Sequence, residues 1–146
     1  MELLFLCDGN TCRSAMAAPL ARRLCDAEGL SAVAVDSAGL AASPGDGAKR
    51  EAVRVCALHG IDLSDHRAKA LTTDMVARAD HIYTMTFLQA VQLRQRVPAQ
   101  AAKIELLSGE GDIENPLDGD ADSYERCYVA LENALRVHLD AWKNEE

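Results

Sequence analysis

At 146 residues the chain has the length of one domain, residues 1–146, with room for a substantial core, and its 49% hydrophobic and 26% charged composition is ordinary for a globular protein. A net charge of −8 argues against a general nucleic-acid or anionic-membrane binder, and no apolar run approaches the roughly 20 residues that span a bilayer. The opening Met1–Leu6 lacks a basic segment and is too short for a signal peptide, so a cytoplasmic location is expected.

Strand-like and helix-like segments alternate along the chain, which predicts an α/β domain with a parallel sheet. Leu3–Leu6 reads as the first strand, and Ser14 to about Glu28 as the first helix, with Ser14 as N-cap and Gly29 as its stop. Ala32–Val35 reads as the second strand, ending in Asp36-Ser37-Ala38-Gly39. Ala42–Gly47 is loop by its Ser, Pro and Gly content, and Ala48–His59 is helical up to Gly60. Asp62–Lys69 is a polar connection, Thr72–Ala79 a short helix, Asp80–Met85 the third strand and Phe87–Arg96 a helix that ends before Pro98. Lys103–Leu107 is the fourth strand, followed by a long acidic loop, Ser108–Asp122, of a length often reserved for function. Tyr124, Cys127, Tyr128, Leu131, Leu135, His138, Leu139 and Trp142 then recur at three- and four-residue spacing, which marks an amphipathic helix with Trp142 as a packing residue.

The chemistry concentrates at Cys7-Asp8-Gly9-Asn10-Thr11-Cys12-Arg13-Ser14, between the first strand and the first helix. Backbone N–H groups of a tight strand-to-helix loop can converge on one anion, and the helix N-terminus adds partial positive charge. The same field favours a thiolate at Cys7. Arg13 can grip two oxygens of a phosphate. A nucleophile at the floor of an anion cradle is what phosphoryl transfer to sulfur requires. Asn10 suits a left-handed position that shapes the loop.

The other cysteines, Cys25, Cys56 and Cys127, read as small buried residues in helices. Five cysteines at irregular spacing form no secreted disulfide framework, and none shows zinc-ligand spacing with His59, His66, His81 or His138, so no metal and no cofactor is expected.

With the loop after an N-terminal strand, Asp36-Ser37-Ala38-Gly39 after the second strand, His66 in the middle connection and Pro116 in the late loop, the whole chain resembles the low-molecular-weight protein tyrosine phosphatases. The likeness is to their bacterial branch, which includes protein arginine phosphatases. The resemblance implies a four-stranded parallel sheet with helices on both faces and a phosphate-binding loop after strand one. It implies Cys7 as nucleophile forming a phosphocysteine, and Arg13 binding the equatorial oxygens. Asp8, Gly9, Asn10, Thr11, Cys12 and Ser14 would complete the phosphate loop. Ser14 would also hydrogen-bond the thiolate, and Ser37 and His66 would support the loop. It further implies that Cys12 can form a reversible disulfide with Cys7. The expected partners are phosphorylated proteins, with no nucleic acid or membrane, and a monomer is expected.

One position departs from that pattern. The family carries Asp-Pro followed by an aromatic residue in the late loop, the aspartic acid serving as general acid. This chain reads Glu114-Asn115-Pro116-Leu117, with Asn115 at the acid position and Leu117 at the aromatic one. An amide donates no proton as an acid does, and loss of general acid catalysis typically costs on the order of 10²- to 10⁴-fold in rate. Three explanations stay open: a substitution introduced to hold substrate or intermediate, a naturally slow or non-catalytic protein, or replacement of the acid by Glu114 or Asp118. Thr11 matches the phosphoarginine phosphatases of the family, although bacterial members counted as tyrosine phosphatases carry it too.

The expected function is therefore a cysteine-dependent phosphatase of protein phosphotyrosine or phosphoarginine. The alternative is a catalytically impaired module that binds phosphate or phosphoprotein. A thioredoxin-coupled arsenate reductase of related fold would need two further mid-chain cysteines, and residues 60–120 contain none.

Overall fold

The computed structural model describes residues 1–145. Its elements run β1 (Glu2–Cys7), α1 (Arg13–Ala27), β2 (Ala34–Gly39), α2 (Arg50–Leu58), α3 (Thr73–Arg78), β3 (His81–Thr84), α4 (Phe87–Arg96), a 3₁₀ turn (Pro98–Lys103), β4 (Ile104–Leu106) and α5 (Ala121–Glu145). The four strands form one parallel sheet in the order β2-β1-β3-β4. The expected α/β architecture, with helices on both faces and the loop after β1, is the observed one.

β1 is central, and Leu3, Leu4, Phe5 and Leu6 are all buried. A strand covered on both faces needs an unbroken apolar run, which is why it was legible as a sequence. One core lies between the sheet and α1, α2 and α5, and includes Phe5, Leu20, Tyr83, Leu131 and Trp142. The other lies under α3 and α4, and includes Leu4, Leu6, Ile82, Leu93 and Ile104. The stripe on α5 is buried as its periodicity predicts, apart from half-buried His138, and Trp142 packs inside, its Nε1 donating to the Tyr83 hydroxyl at 2.9 Å. Cys25, Cys56 and Cys127 are buried in helices, as expected.

Several boundaries differ from the sequence reading. β2 is Ala34–Gly39 rather than Ala32–Val35, because its register pairs Glu2 with Ala34 and Cys7 with Gly39. It is an edge strand, and its polar Asp36 and Ser37 hide it from a hydrophobic reading. β4 loses Lys103, which belongs to the 3₁₀ turn and sends Nζ to the carbonyls of Ala77 and Ala79. β3 is shorter at both ends, and α2 starts at Arg50 instead of Ala48. Ser14 is not the N-cap of α1: Cys12 stands there without a side-chain cap, and the Ser14 hydroxyl is engaged at Cys7. By contrast, α4 begins at Phe87 as predicted, fixed by a capping box between Thr86 and Gln89.

Parallel strands place the loops after β1, β2, β3 and β4 at one edge of the sheet, where open α/β folds hold their ligands.

Candidate active site

Cys7 ends β1, and its buried sulfur faces the first turn of α1. The Ser14 hydroxyl lies 2.9 Å from Cys7 Sγ, and the Ser14 N–H donates to the same sulfur at 3.4 Å. The second residue of a helix has no intrahelical partner for its N–H, so a sulfur placed there satisfies an orphan donor and meets the positive end of the helix dipole.

The loop is held from outside by its carbonyls. Those of Cys7 and Asp8 accept from Leu40 N and Ala41 N at 2.9 Å each, that of Thr11 accepts from Lys49 N at 2.9 Å, and that of Asn10 from His66 Nε2 at 2.7 Å. The peptides are trans. In a trans peptide the next residue's N–H points opposite to the carbonyl, so anchoring these carbonyls turns the N–H groups of Asp8, Gly9, Thr11 and Cys12 away from the bracing segments.

Asn10 is the hub of this brace. Its φ of 55° is left-handed, a conformation asparagine tolerates. Its Nδ2 donates to Ser14 Oγ at 2.8 Å and Ser37 Oγ at 3.0 Å, and its Oδ1 accepts from Lys69 N at 3.1 Å. Ser37 and His66 thus both meet the loop through Asn10. Because a carbonyl only accepts, His66 Nε2 is the donor in this contact. With Asn10 donating to it, the Ser14 hydroxyl keeps its one proton for Cys7 Sγ or, at 3.4 Å, the Ala38 carbonyl. Gly39 is needed for closeness: a Cβ there would stand 2.7 Å from both the Asp8 carbonyl oxygen and Ala42 Cβ.

Arg13 is buried, and its Nη1 donates to the Ile113 carbonyl at 3.1 Å while Nη2 lies 3.8 Å from the exposed Asp8 carboxylate. Its Nε is buried without a hydrogen-bond partner among the described residues. A buried guanidinium N–H left unmatched is costly unless a ligand completes it.

The late loop reaches the phosphate loop at two points. Ile113 holds Arg13, and Asn115 Oδ1 accepts from Cys12 Sγ at 3.6 Å and from Leu117 N at 3.1 Å. Asn115 is exposed, as are Glu114 and Asp118. Leu117 is 37% exposed on the same loop. The Cys12 thiol is raised above its ordinary value by burial and then by Cys7, which keeps it protonated. Thr11 is buried in the loop, and Gly9 is half-buried.

Sequence reasoning missed Ile113, Lys69, Lys49 and Gly39 as parts of the site. The first three contribute backbone groups, for which side-chain identity carries no signal. Gly39 could have been found as a glycine ending a strand beside the loop.

The chain matches the family "Low molecular weight phosphotyrosine protein phosphatase" over residues 2–146. It is 40% identical over 143 residues to the probable low molecular weight protein-tyrosine-phosphatase EpsP of Ralstonia nicotianae, covering 96% of this chain and 92% of that one. It is 36% identical over 141 residues to the protein-arginine-phosphatase of Bacillus subtilis, covering 93% of each. The solved structure of the YwlE arginine phosphatase, a cysteine-to-serine mutant with a phosphorylated active-site serine, superposes with a TM-score of 0.94 at 30% identity, over 100% of this chain and 98% of that one. The chain belongs to the low-molecular-weight protein tyrosine phosphatase family of hydrolases, whose relatives here include both tyrosine and arginine phosphatases.

Proposed function

We propose that the chain hydrolyses protein phosphotyrosine or phosphoarginine through a phosphocysteine on Cys7, with turnover slowed by Asn115. The observation that carries this reading is the pairing of Cys7 Sγ, held by Ser14, with an adjacent Arg13 whose buried Nε–H lacks a partner among the described residues. A phosphoryl group over the sulfur supplies the missing acceptor.

In the first step the Cys7 sulfur attacks phosphorus, the P–S bond forms and the P–O or P–N bond to the substrate breaks. The electron pair leaves with the phenolate or guanidine. Arg13 and the N–H groups turned away from the bracing segments offset the charge on the equatorial oxygens. In the second step water attacks phosphorus, the P–S bond breaks, and inorganic phosphate leaves with the Cys7 sulfur restored. Asn115 holds a hydrogen bond near the site but supplies no proton to the leaving group, so the proton comes from solvent and both steps lose general acid–base assistance. Cys12, kept as a thiol, is the partner through which an oxidised Cys7 would be recovered as a disulfide.

A second reading, capture of phosphoprotein without useful turnover, is favoured by Asn115 alone. Steady-state hydrolysis of p-nitrophenyl phosphate and of matched phosphotyrosine and phosphoarginine peptides decides between them. Turnover that vanishes in Cys7→Ser supports the enzyme; tight peptide binding with no turnover supports capture. Repeating the peptides with Thr11→Ile tests the loop threonine as a source of phosphoarginine preference, and an unchanged preference refutes that role.

A further inference from the structure

We propose that Phe87, with Leu88 beside it, determines specificity by receiving a large apolar residue adjacent to the phosphorylated one in a neutral or basic protein segment. The proposal rests on the phosphatase reading above.

Position comes first. β3 neighbours β1, and the register Leu6↔Thr84 puts Met85 level with Cys7. Phe87 therefore lies two residues past the level of the nucleophile, on the edge where the phosphate loop emerges. Hydrogen bonds tie it there. Phe87 N donates to the Asp112 carboxylate at 2.7 Å, Ile113 N donates to the Met85 carbonyl at 2.8 Å, and Arg13 Nη1 donates to the Ile113 carbonyl at 3.1 Å. One short stretch of the late loop thus holds both Phe87 and the phosphate-gripping arginine.

Exposure comes second. Phe87 and Leu88 are 62% and 63% exposed. α4 buries its other face, through Gln89, Ala90 and Leu93, so neither side chain is used in packing the helix. The capping box fixes Phe87 as the first helical residue, so the ring is carried on a rigid element. Leu117, 37% exposed, is a further exposed apolar side chain on the late loop.

Charge sets the remaining chemistry. Asp8, Asp112, Glu114 and Asp118 are exposed on the loops of this edge. The late loop from Ser108 to Asp120 holds no lysine or arginine, so its carboxylates disfavour acidic residues in a segment lying against it, while an apolar neighbour gains contact with Phe87 and Leu88.

The test compares phosphotyrosine peptides, and separately phosphoarginine peptides, that differ only by Leu or Ala next to the phosphorylated residue. Burial of one leucine side chain against a partly covered ring predicts about a tenfold higher kcat/KM for the Leu peptide. Phe87→Ala/Leu88→Ala should bring that ratio close to one, with p-nitrophenyl phosphate turnover retained as the sign of an intact site, and Phe87→Tyr should keep the preference. The proposal is overturned if the wild-type chain treats Leu and Ala peptides alike, or if the double variant keeps the ratio. A uniform loss on both peptides and on p-nitrophenyl phosphate also overturns it, because Phe87 would then act through Arg13. If the wild-type chain turns over no phosphate at all, the phosphatase reading fails separately, and the same Leu-to-Ala ratio is read from peptide binding by fluorescence anisotropy.

Discussion

Asn115→Asp is the perturbation that tests the assigned acid position most directly. Asn115 Oδ1 already accepts from Leu117 N and Cys12 Sγ, so one carboxylate oxygen can inherit those contacts without rebuilding the loop. The other oxygen replaces Nδ2 and gains a proton to give. General acid catalysis contributes about 10²- to 10⁴-fold, or about 3–5 kcal/mol of barrier. Position 115 is exposed and has no burial to hold its proton, which places the expected gain near the low end, about 10²-fold, and makes it shrink as pH rises above the ordinary carboxylate range. The assay is kcat for an aryl phosphate with a poor phenol leaving group, measured from mildly acidic to neutral pH. A gain below about tenfold at the acidic end would show that the acid lies elsewhere, with Glu114→Gln and Asp118→Asn the next variants to examine.

Ser14→Ala removes the hydroxyl 2.9 Å from Cys7 Sγ and strips one acceptor from Asn10. That contact holds the nucleophile in place, so kcat for p-nitrophenyl phosphate should fall about tenfold; an unchanged kcat would refute the role given to Ser14. Gly39→Ala would force a Cβ to 2.7 Å from the Asp8 carbonyl and should destabilise the fold by about 1–3 kcal/mol in urea while weakening phosphate inhibition. Burial pushes the Cys56 and Cys127 thiols up from 9.0 to about 12. The unfolded chain ionises first, so stability is full below about pH 9 and is lost as pH rises towards 12. Each thiol accounts for up to about 3 kcal/mol by pH 11, and Cys127→Ala should flatten the decline in denaturation midpoint between about pH 8 and pH 11.

What the sequence revealed and what it hid follow from where each contact is made. β1 and α5 were readable because their burial patterns are written in their own side chains: an unbroken apolar run for a central strand, a regular stripe for a packed helix. β2 was misplaced because Asp36 and Ser37 serve other segments, Asp36 meeting Lys69 at 2.6 Å and Ser37 meeting Asn10. Ser14 looked like a cap because serine before a helical run usually is one; here the helix begins one residue earlier, at Arg13, and the Ser14 hydroxyl meets Cys7 Sγ. The contact between Arg13 and Ile113 spans 100 residues and uses a backbone oxygen, so no local pattern announces it.

The way the site is divided among elements separates capture from turnover. The phosphate loop is braced by β2, by the 66–69 connection and by Lys49, none of which belongs to the late loop. The late loop adds the Ile113 carbonyl, which orients Arg13, and the Asn115 amide, which meets Cys12. Loss of the amide alone leaves the Ile113 contact and the whole brace in place. Asn115→Ala should therefore change the inhibition constant of inorganic phosphate by less than about threefold, since one exposed neutral contact contributes about 0.5 kcal/mol. If Asn115 only occupies the acid position, kcat should also stay within about threefold, because an amide gives no proton to lose. A large fall in kcat with unchanged phosphate inhibition would instead mean that the amide itself orients the leaving group or the attacking water. The chain would then be an enzyme with a working substitute at the acid position rather than one with a vacant role.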